Sequence, residues 1–426
     1  MSGAITFTSC PSNFFEEHIL EYFERSRDEC PQIEAIYGKW RFEDLIPGLS
    51  DFDTRFIFSD DTTADDWIRI SRAVGRVHTE ICRDNPDRAR ILEHLPGINL
   101  KWDETQDSMF YYPEFHQWTA YHGKEENISK FSDHLSSLSW NTADELFNIK
   151  KFALYFGPYN RTIDPPINLG EFENKYSLHS RFMHYFCPPV HCAVNIMEKR
   201  MVRGKRESLN LARKLFPNGS VIDMIFETLD RHYEVPEFYR EPRLTEIETM
   251  LFSYLENVFR IISPEITVIN IQPGNTPKEL KEKLGKVKAG LMVKFFEGAK
   301  FSRLMMGRLL FYAENIPHFD SIWLIRNELG RIRKLFFETT FTTFGLIAWG
   351  NALEPEDVLE RCRGTFLDVT EYMRVRAFAE IFSRPYNSGE IKDYALEVAA
   401  VMGPFQVALD KLGGIAKDII QKNNLM

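Results

Sequence analysis

Apolar and polar positions along this chain follow two periods, and the change from one to the other divides it. Behind Ser12 as a cap, Phe14, Phe15, Ile19, Leu20 and Phe23 recur at helical spacing and predict an amphipathic entry helix over 12–28. Ile33-Glu34-Ala35-Ile36-Tyr37-Gly38 reads as a short strand ending in a glycine turn. A second strand is predicted to end near Ser59, followed by a helix over about 63–83. Two further strands are expected near 98–102 and 115–121. From residue 125 the period is helical, with segments expected at 128–138, 143–155, 169–186, 191–202, 208–215, 221–231 and 244–262. Ser263-Pro264 through Pro277 interrupts this pattern, holding a β-prone run, Ile266 to Ile271, and a Pro273-Gly274-Asn275 turn, so it reads as a domain boundary. Helices resume to the end, with long segments near 321–337, 356–382 and 389–412. No internal repeat or low-complexity tract is evident. The pattern predicts an α+β chain in three parts. A small mixed-sheet head spans 1–124, a helical domain 125–263, and a C-terminal helical domain 278–426.

Composition narrows the function classes. With 426 residues, 44% of them hydrophobic, the chain can bury sizeable cores, and its 35 phenylalanines point to aromatic-rich helix interfaces. A net charge of −10 argues against general nucleic-acid binding, where affinity comes mainly from neutralising phosphates. The first ten residues lack the basic region and long apolar core of a signal peptide. The longest uncharged apolar stretch, Thr339 to Leu353, has 15 residues including four threonines and two glycines, too short and polar for a membrane span. Six scattered cysteines make no disulfide framework, so a cytoplasmic location is the simplest expectation.

The chemistry concentrates at Pro47-Gly48-Leu49-Ser50-Asp51-Phe52-Asp53. Asp51 and Asp53 stand two apart at the head of an apolar run, and residues i and i+2 of a strand share a face. Two carboxylates aimed at one point raise each other's pKa unless a cation neutralises them, and hard oxygen ligands suit Mg²⁺. Just upstream, Gly38-Lys39 closes a strand with a backbone open enough to approach phosphate. The competing reading of Ser-Asp after Pro-Gly is plain turn chemistry. Between Asp51 and Asp66, however, six aspartates meet one arginine, a density that demands solvation or a cation. Asp60, Asp61, Asp65 and Asp66 also suit the N-terminus of the helix that follows.

Gly38, Arg41, Gly48, Ser50, Asp51 and Asp53 together resemble the polymerase-beta-type nucleotidyltransferase superfamily, and within it the small-molecule, aminoglycoside nucleotidyltransferase-like branch. The resemblance covers roughly residues 30–120. It implies Mg²⁺-dependent transfer of a nucleoside monophosphate from an NTP to a hydroxyl of a small molecule, with release of pyrophosphate. It assigns Asp51 and Asp53 to the metal, and Gly38, Lys39 and Ser50 to the triphosphate. Two positions depart from the family pattern. Lys39 stands where the family has a serine, and can serve a triphosphate as a point charge. Asn99 stands where a third acid is expected. Asp103, ahead of Glu104 and Glu114, is the substitute that would take the acceptor proton. The alternatives are nucleotidyl transfer to RNA or protein, and a non-catalytic binding protein that keeps the fold.

Three further clusters bear on this reading. The basic run Lys199 to Arg206 offers Lys205 and Arg206 as clamps for a triphosphate tail, with Lys175, Ser177 and Arg181 able to join them, or is a solvated turn around Gly204. His179, His184, Cys187, His191 and Cys192 fall close together, but at no common zinc spacing, so buried thiols and core histidines are expected. Residues 278–308 hold nine Lys or Arg against three Glu, which reads as the basic face of an amphipathic helix before it reads as a nucleic-acid platform.

Overall fold

The computed structural model describes residues 14–46, 50–84, 88, 91–92, 97–106, 111–156, 186–231, 241–314, 321–387 and 389–422. It is an α+β fold with a four-stranded sheet near the N-terminus and helices thereafter. The head holds α1 (Phe14–Glu29), β1 (Ile33–Lys39), β2 (Thr54–Phe58), α2 (Ala64–Asp84), β3 (Gly97–Lys101) and β4 (Trp118–Gly123). Spatial order is β3-β2-β1-β4; β1 runs antiparallel to both β2 and β4, and β2 parallel to β3. The parallel pair needs a crossover, and α2 lies between its strands in the chain.

Alternation along the strands sorts side chains onto two buried faces. Phe56 and Phe58 meet the first two helices, Phe56 against Tyr22 at 6.2 Å between ring centroids and Phe58 against Trp67 at 5.2 Å. Tyr37 faces the other way, against Trp118 and Phe131 of α3 (Glu125–Ser137). Lys39, two residues on, shares the Tyr37 face by strand period. Gly38 lies on the α1 face, where Phe52 and Tyr121 pack so closely that an added Cβ would sit 2.2 Å from Phe52 Cζ and 2.8 Å from Tyr121 Cε2. Aromatic packing by itself thus accounts for a glycine at position 38. Gly38→Ala is expected to cost about 1–3 kcal/mol, the usual range for overpacking, in a urea titration. An unchanged midpoint would show that the rings have room to move.

Four helices follow: α4 (Thr142–Phe156), α5 (Cys187–Glu198), α6 (Lys205–Leu215) and α7 (Ser220–Arg231), then the longer α8 (Glu241–Ile262). Their core, from Phe186 to Ile262, is separate from that of the sheet and draws in Ile46 and Phe152. The run Ile266 to Ile271 forms no strand, and Val268 in it is 81% exposed. After it come α9 (Pro277–Gly285), α10 (Lys288–Glu314) and α11 (Ser321–Arg331), which passes through a π-helical stretch, Ile332–Thr339, into α12 (Thr340–Trp349). The helix expected over 356–382 is broken in two, α13 (Pro355–Cys362) and α14 (Val369–Ser383). Gly364 adopts φ +70° in the break, and Asp368 caps α14 through a reciprocal bond with Glu371. The last helix is α15 (Ile391–Lys422). α10 and α15 pack on α2, so the core of the sheet continues through the C-terminal helices as one cluster. Among the described residues no helix is long and apolar enough to cross a membrane.

Candidate active site

The strand face that carries Lys39 opens toward α4, α5 and α6, and a cavity of about 190 Å³ lies between them. Its charged lining is Lys39, Asp51, Asp53, Lys151 and Lys205; Trp40, Gln117, His191 and Asn148 add aromatic and polar walls. The head supplies both aspartates and one lysine, while α4 and α6 supply Lys151 and Lys205. Three lysines against two aspartates leave one positive charge in excess, a lining suited to an anion.

Lys39 and Asp53 of the lining join Arg55 and Glu114 in a lattice of four charges. The Lys39 ammonium is 3.2 Å from Glu114 Oε1 and 3.8 Å from Asp53 Oδ2. Arg55 repeats the arrangement on the other oxygens, 3.0 Å from Glu114 Oε2 and 3.8 Å from Asp53 Oδ1. Lys151 stands 4.0 Å from Glu114 Oε1. Glu114, in the short turn before β4, is 4% exposed, and burial alone would push its carboxyl up. Arg55, Lys39 and Lys151 more than offset this and hold it at about 2. Burial works against the charge on Lys39 too, yet Glu114 and Asp53 keep its ammonium above the ordinary lysine range.

Asp51 is different. It is half-buried, and among the described residues no basic group lies within salt-bridge distance of it. Burial, and then the neighbouring Asp53, push its carboxyl up to about 6. Lys151 and Lys205 move the opposite way, burial first, to about 8 each. Each ammonium group also lies over a ring, Lys151 over Phe147 at 4.1 Å and Lys205 over Trp40 at 4.5 Å. Trp40 takes a left-handed backbone, φ 73°, fixed by its N–H donating to Gln117 O at 2.8 Å. Its other neighbour is His191, stacked 5.8 Å away. Burial, then the three lysines, press His191 down to about 3, so it is neutral and accepts from the Gln117 amide across 3.1 Å.

No family model, curated protein or solved structure matches the chain. The site is therefore judged on its own geometry.

Of the residues singled out in the sequence, Lys39, Asp51, Asp53 and Lys205 come together on the cavity. The others do not. Ser50 is buried, and its hydroxyl accepts from the Ile46 N–H at 2.9 Å, closing the turn before Asp51. Arg206 pairs with Asp230 on the exposed side of α6. Asp103 lies outside the cavity lining, its backbone N–H bonded to the Asp60 carboxylate, and its own carboxyl is raised by burial and by Asp60. The acid that reaches the aspartate pair is Glu114. Lys175, Ser177, Arg181, His179 and His184 lie outside the described residues. Cys187 and Cys192 are raised by burial to about 12 and 11, the state of inert core thiols.

Arg55, Lys151 and Gln117 escaped the sequence reading, and His191 was read only as a core histidine. Arg55 alone left a signal, because it stands two residues after Asp53 and so on the same strand face. Among the described residues no three of His, Cys, Asp and Glu are grouped to hold a metal ion. Asp51 and Asp53 still offer hard oxygen donors on the cavity, and Asp53 lies 3.8 Å from both Lys39 and Arg55. That donor set fits Mg²⁺ in its usual mode, one or two carboxylates completed by substrate phosphates, and does not make an all-protein cage.

Proposed function

We propose that the cavity binds a nucleoside triphosphate with Mg²⁺ and transfers its nucleoside monophosphate to a hydroxyl of a small molecule, releasing pyrophosphate. The observation that carries this reading is the meeting of Asp51 and Asp53, in the segment just ahead of β2, with three lysines from three separate elements on one cavity. Asp51 and Asp53 would hold the ion, which supplies Lewis-acid stabilisation of the charge that builds on the transferring phosphate. Lys39, Lys151 and Lys205 would bind the phosphate oxygens, and an arriving anion returns to the two α-helical lysines the charge that burial disfavours. Lys205 is also the first residue of α6, so the positive end of that helix adds to the same field.

Glu114 is a poor base, being held ionised by two cations. The low basicity of Glu114 also favours a second reading, a binding protein that recognises the nucleotide and turns nothing over. Transfer to RNA loses support. Within the basic segment, Arg303 is buried against Glu104 and Asp410, Arg308 pairs with Glu328, and Lys283 bonds the oxygens of Asn270 and Asn275.

A thermal-shift screen of the four NTPs, each with and without Mg²⁺, tests the reading. A specific NTP at 100 times its Kd adds about 2.7 kcal/mol of stability. Lys205→Ala should lose most of that gain for triphosphates and little for the nucleoside. Stabilisation by no NTP overturns the proposal, and stabilisation without pyrophosphate release in any mixture with hydroxyl acceptors leaves the binding reading.

A further inference from the structure

Two-metal sites for phosphoryl chemistry place two cations about 3.5–4 Å apart, one for the attacking oxygen and one for the leaving oxygen. Such sites need carboxylates whose oxygens are open to both ions. Here four carboxylate oxygens are already engaged. Asp53 Oδ2 and Glu114 Oε1 face the Lys39 ammonium, and Asp53 Oδ1 and Glu114 Oε2 face the Arg55 guanidinium. The gap between Asp53 and Glu114 thus holds two fixed positive charges. A divalent ion entering it would have to expel Lys39, whose side chain is only 21% exposed. It would also strand a buried ammonium beside Arg55.

On the other side of Asp53, Asp51 has no such engagement among the described residues. The cavity side of Asp51 is where one ion would sit. Lys39 itself has three donors, one hydrogen-bonded to Glu114 at 3.2 Å and one facing Asp53 at 3.8 Å, and its side chain also lines the cavity. Its third N–H is then available to a ligand oxygen.

We propose that Lys39 replaces one ion of a two-cation site. Its ammonium, seated between Asp53 and Glu114 and facing the cavity, is a permanent second cation, so each bound nucleotide brings one divalent ion and not two. The inference rests on the nucleotide reading above and gives it a specific stoichiometry. It also accounts for a lysine at the position where serine would leave the gap open to a metal.

The experiment counts bound ions. Mn²⁺, followed by electron paramagnetic resonance, is titrated into the whole protein with each of the four α,β-methylene nucleoside triphosphates in turn. The expected result is one Mn²⁺ per chain with whichever nucleotide binds, and two for Lys39→Ser, with Lys39→Arg remaining at one. Circular dichroism and the nucleotide dissociation constant verify that the serine variant is folded and loaded. The wild-type count decides the matter even if that variant does not fold. Two Mn²⁺ per wild-type chain overturns the role of Lys39 and leaves the nucleotide reading standing. One Mn²⁺ in a folded, nucleotide-loaded Lys39→Ser also overturns it. Failure of all four analogues to bind removes both proposals together.

Discussion

Glu114→Gln lowers the stability of the protein by about 3–5 kcal/mol at neutral pH, the cost of breaking a buried ion pair by removing one partner. The side chain is 5% exposed and neutralises Lys39 and Arg55, which are themselves mostly buried. Glutamine keeps the shape and one acceptor oxygen but leaves the two cations with only the more distant Asp53. The pH dependence has a definite sign. The Glu114 carboxyl falls from its ordinary 4.5 to about 2 on folding, so its contribution is fully present above 4.5 and is lost as pH drops toward 2. Urea titrations at pH 7 and near pH 3 should therefore show a large gap between wild type and variant at the first and a smaller one at the second. A variant within 1 kcal/mol of wild type at pH 7 would mean that solvent screens the lattice, and with it the barrier to a second metal ion.

Asp51→Asn is expected to do the opposite to stability while removing function. Burial and Asp53 raise this carboxyl from 3.8 to about 6, so the folded state holds the proton more tightly than the unfolded chain does. Stability tied to Asp51 is present at low pH and falls as pH rises from about 4 to about 6. A two-unit shift corresponds to roughly 3 kcal/mol, and partial exposure to water reduces it to about 1–2 kcal/mol. Asparagine carries no charge, so the variant should be more stable than wild type by about that amount above pH 7 and equal to it near pH 4. Mg²⁺-dependent NTP stabilisation should vanish in the same variant, because one of the two carboxylates proposed to hold the ion is gone. Such an exchange of stability for function is common where a site stores unpaired charge. A variant less stable than wild type at pH 8, or one that binds Mg·NTP equally well, refutes the assignment of Asp51.

Local pattern carried a large part of the fold. The entry helix, the four strands and most of the helices lie where hydrophobic period placed them, because alternation at two or 3.6 residues needs only near neighbours in the chain. The break between α13 and α14 was missed because both flanks are helical by period, and only Gly364 and the Asp368–Glu371 cap mark the turn. Gly38 shows the same limit from another side. A glycine before a charged residue suits a phosphate loop, and nothing local reveals that Phe52 and Tyr121 fill the space where its side chain would be.

What the sequence by itself determined is the charged face of the head. Asp51, Asp53 and, unread, Arg55 alternate with the buried Phe52 and Thr54 along the run that leads into β2, and the Asp pair sets the charge problem that any ligand must answer. Which groups answer it was decided only by tertiary structure. β4 lies beside β1, and the turn leading into it delivers Glu114 to Lys39 and Arg55, whereas Asp103 is carried to Asp60 at the far end of β2 and β3. Lys151 and Lys205 reach the cavity from helices whose own periodicity shows only which face is buried, not what that face meets. The physical reason is that parity is a property of one strand, while charge neutralisation depends on distances between segments far apart in the chain. Those distances are set by packing of the whole molecule.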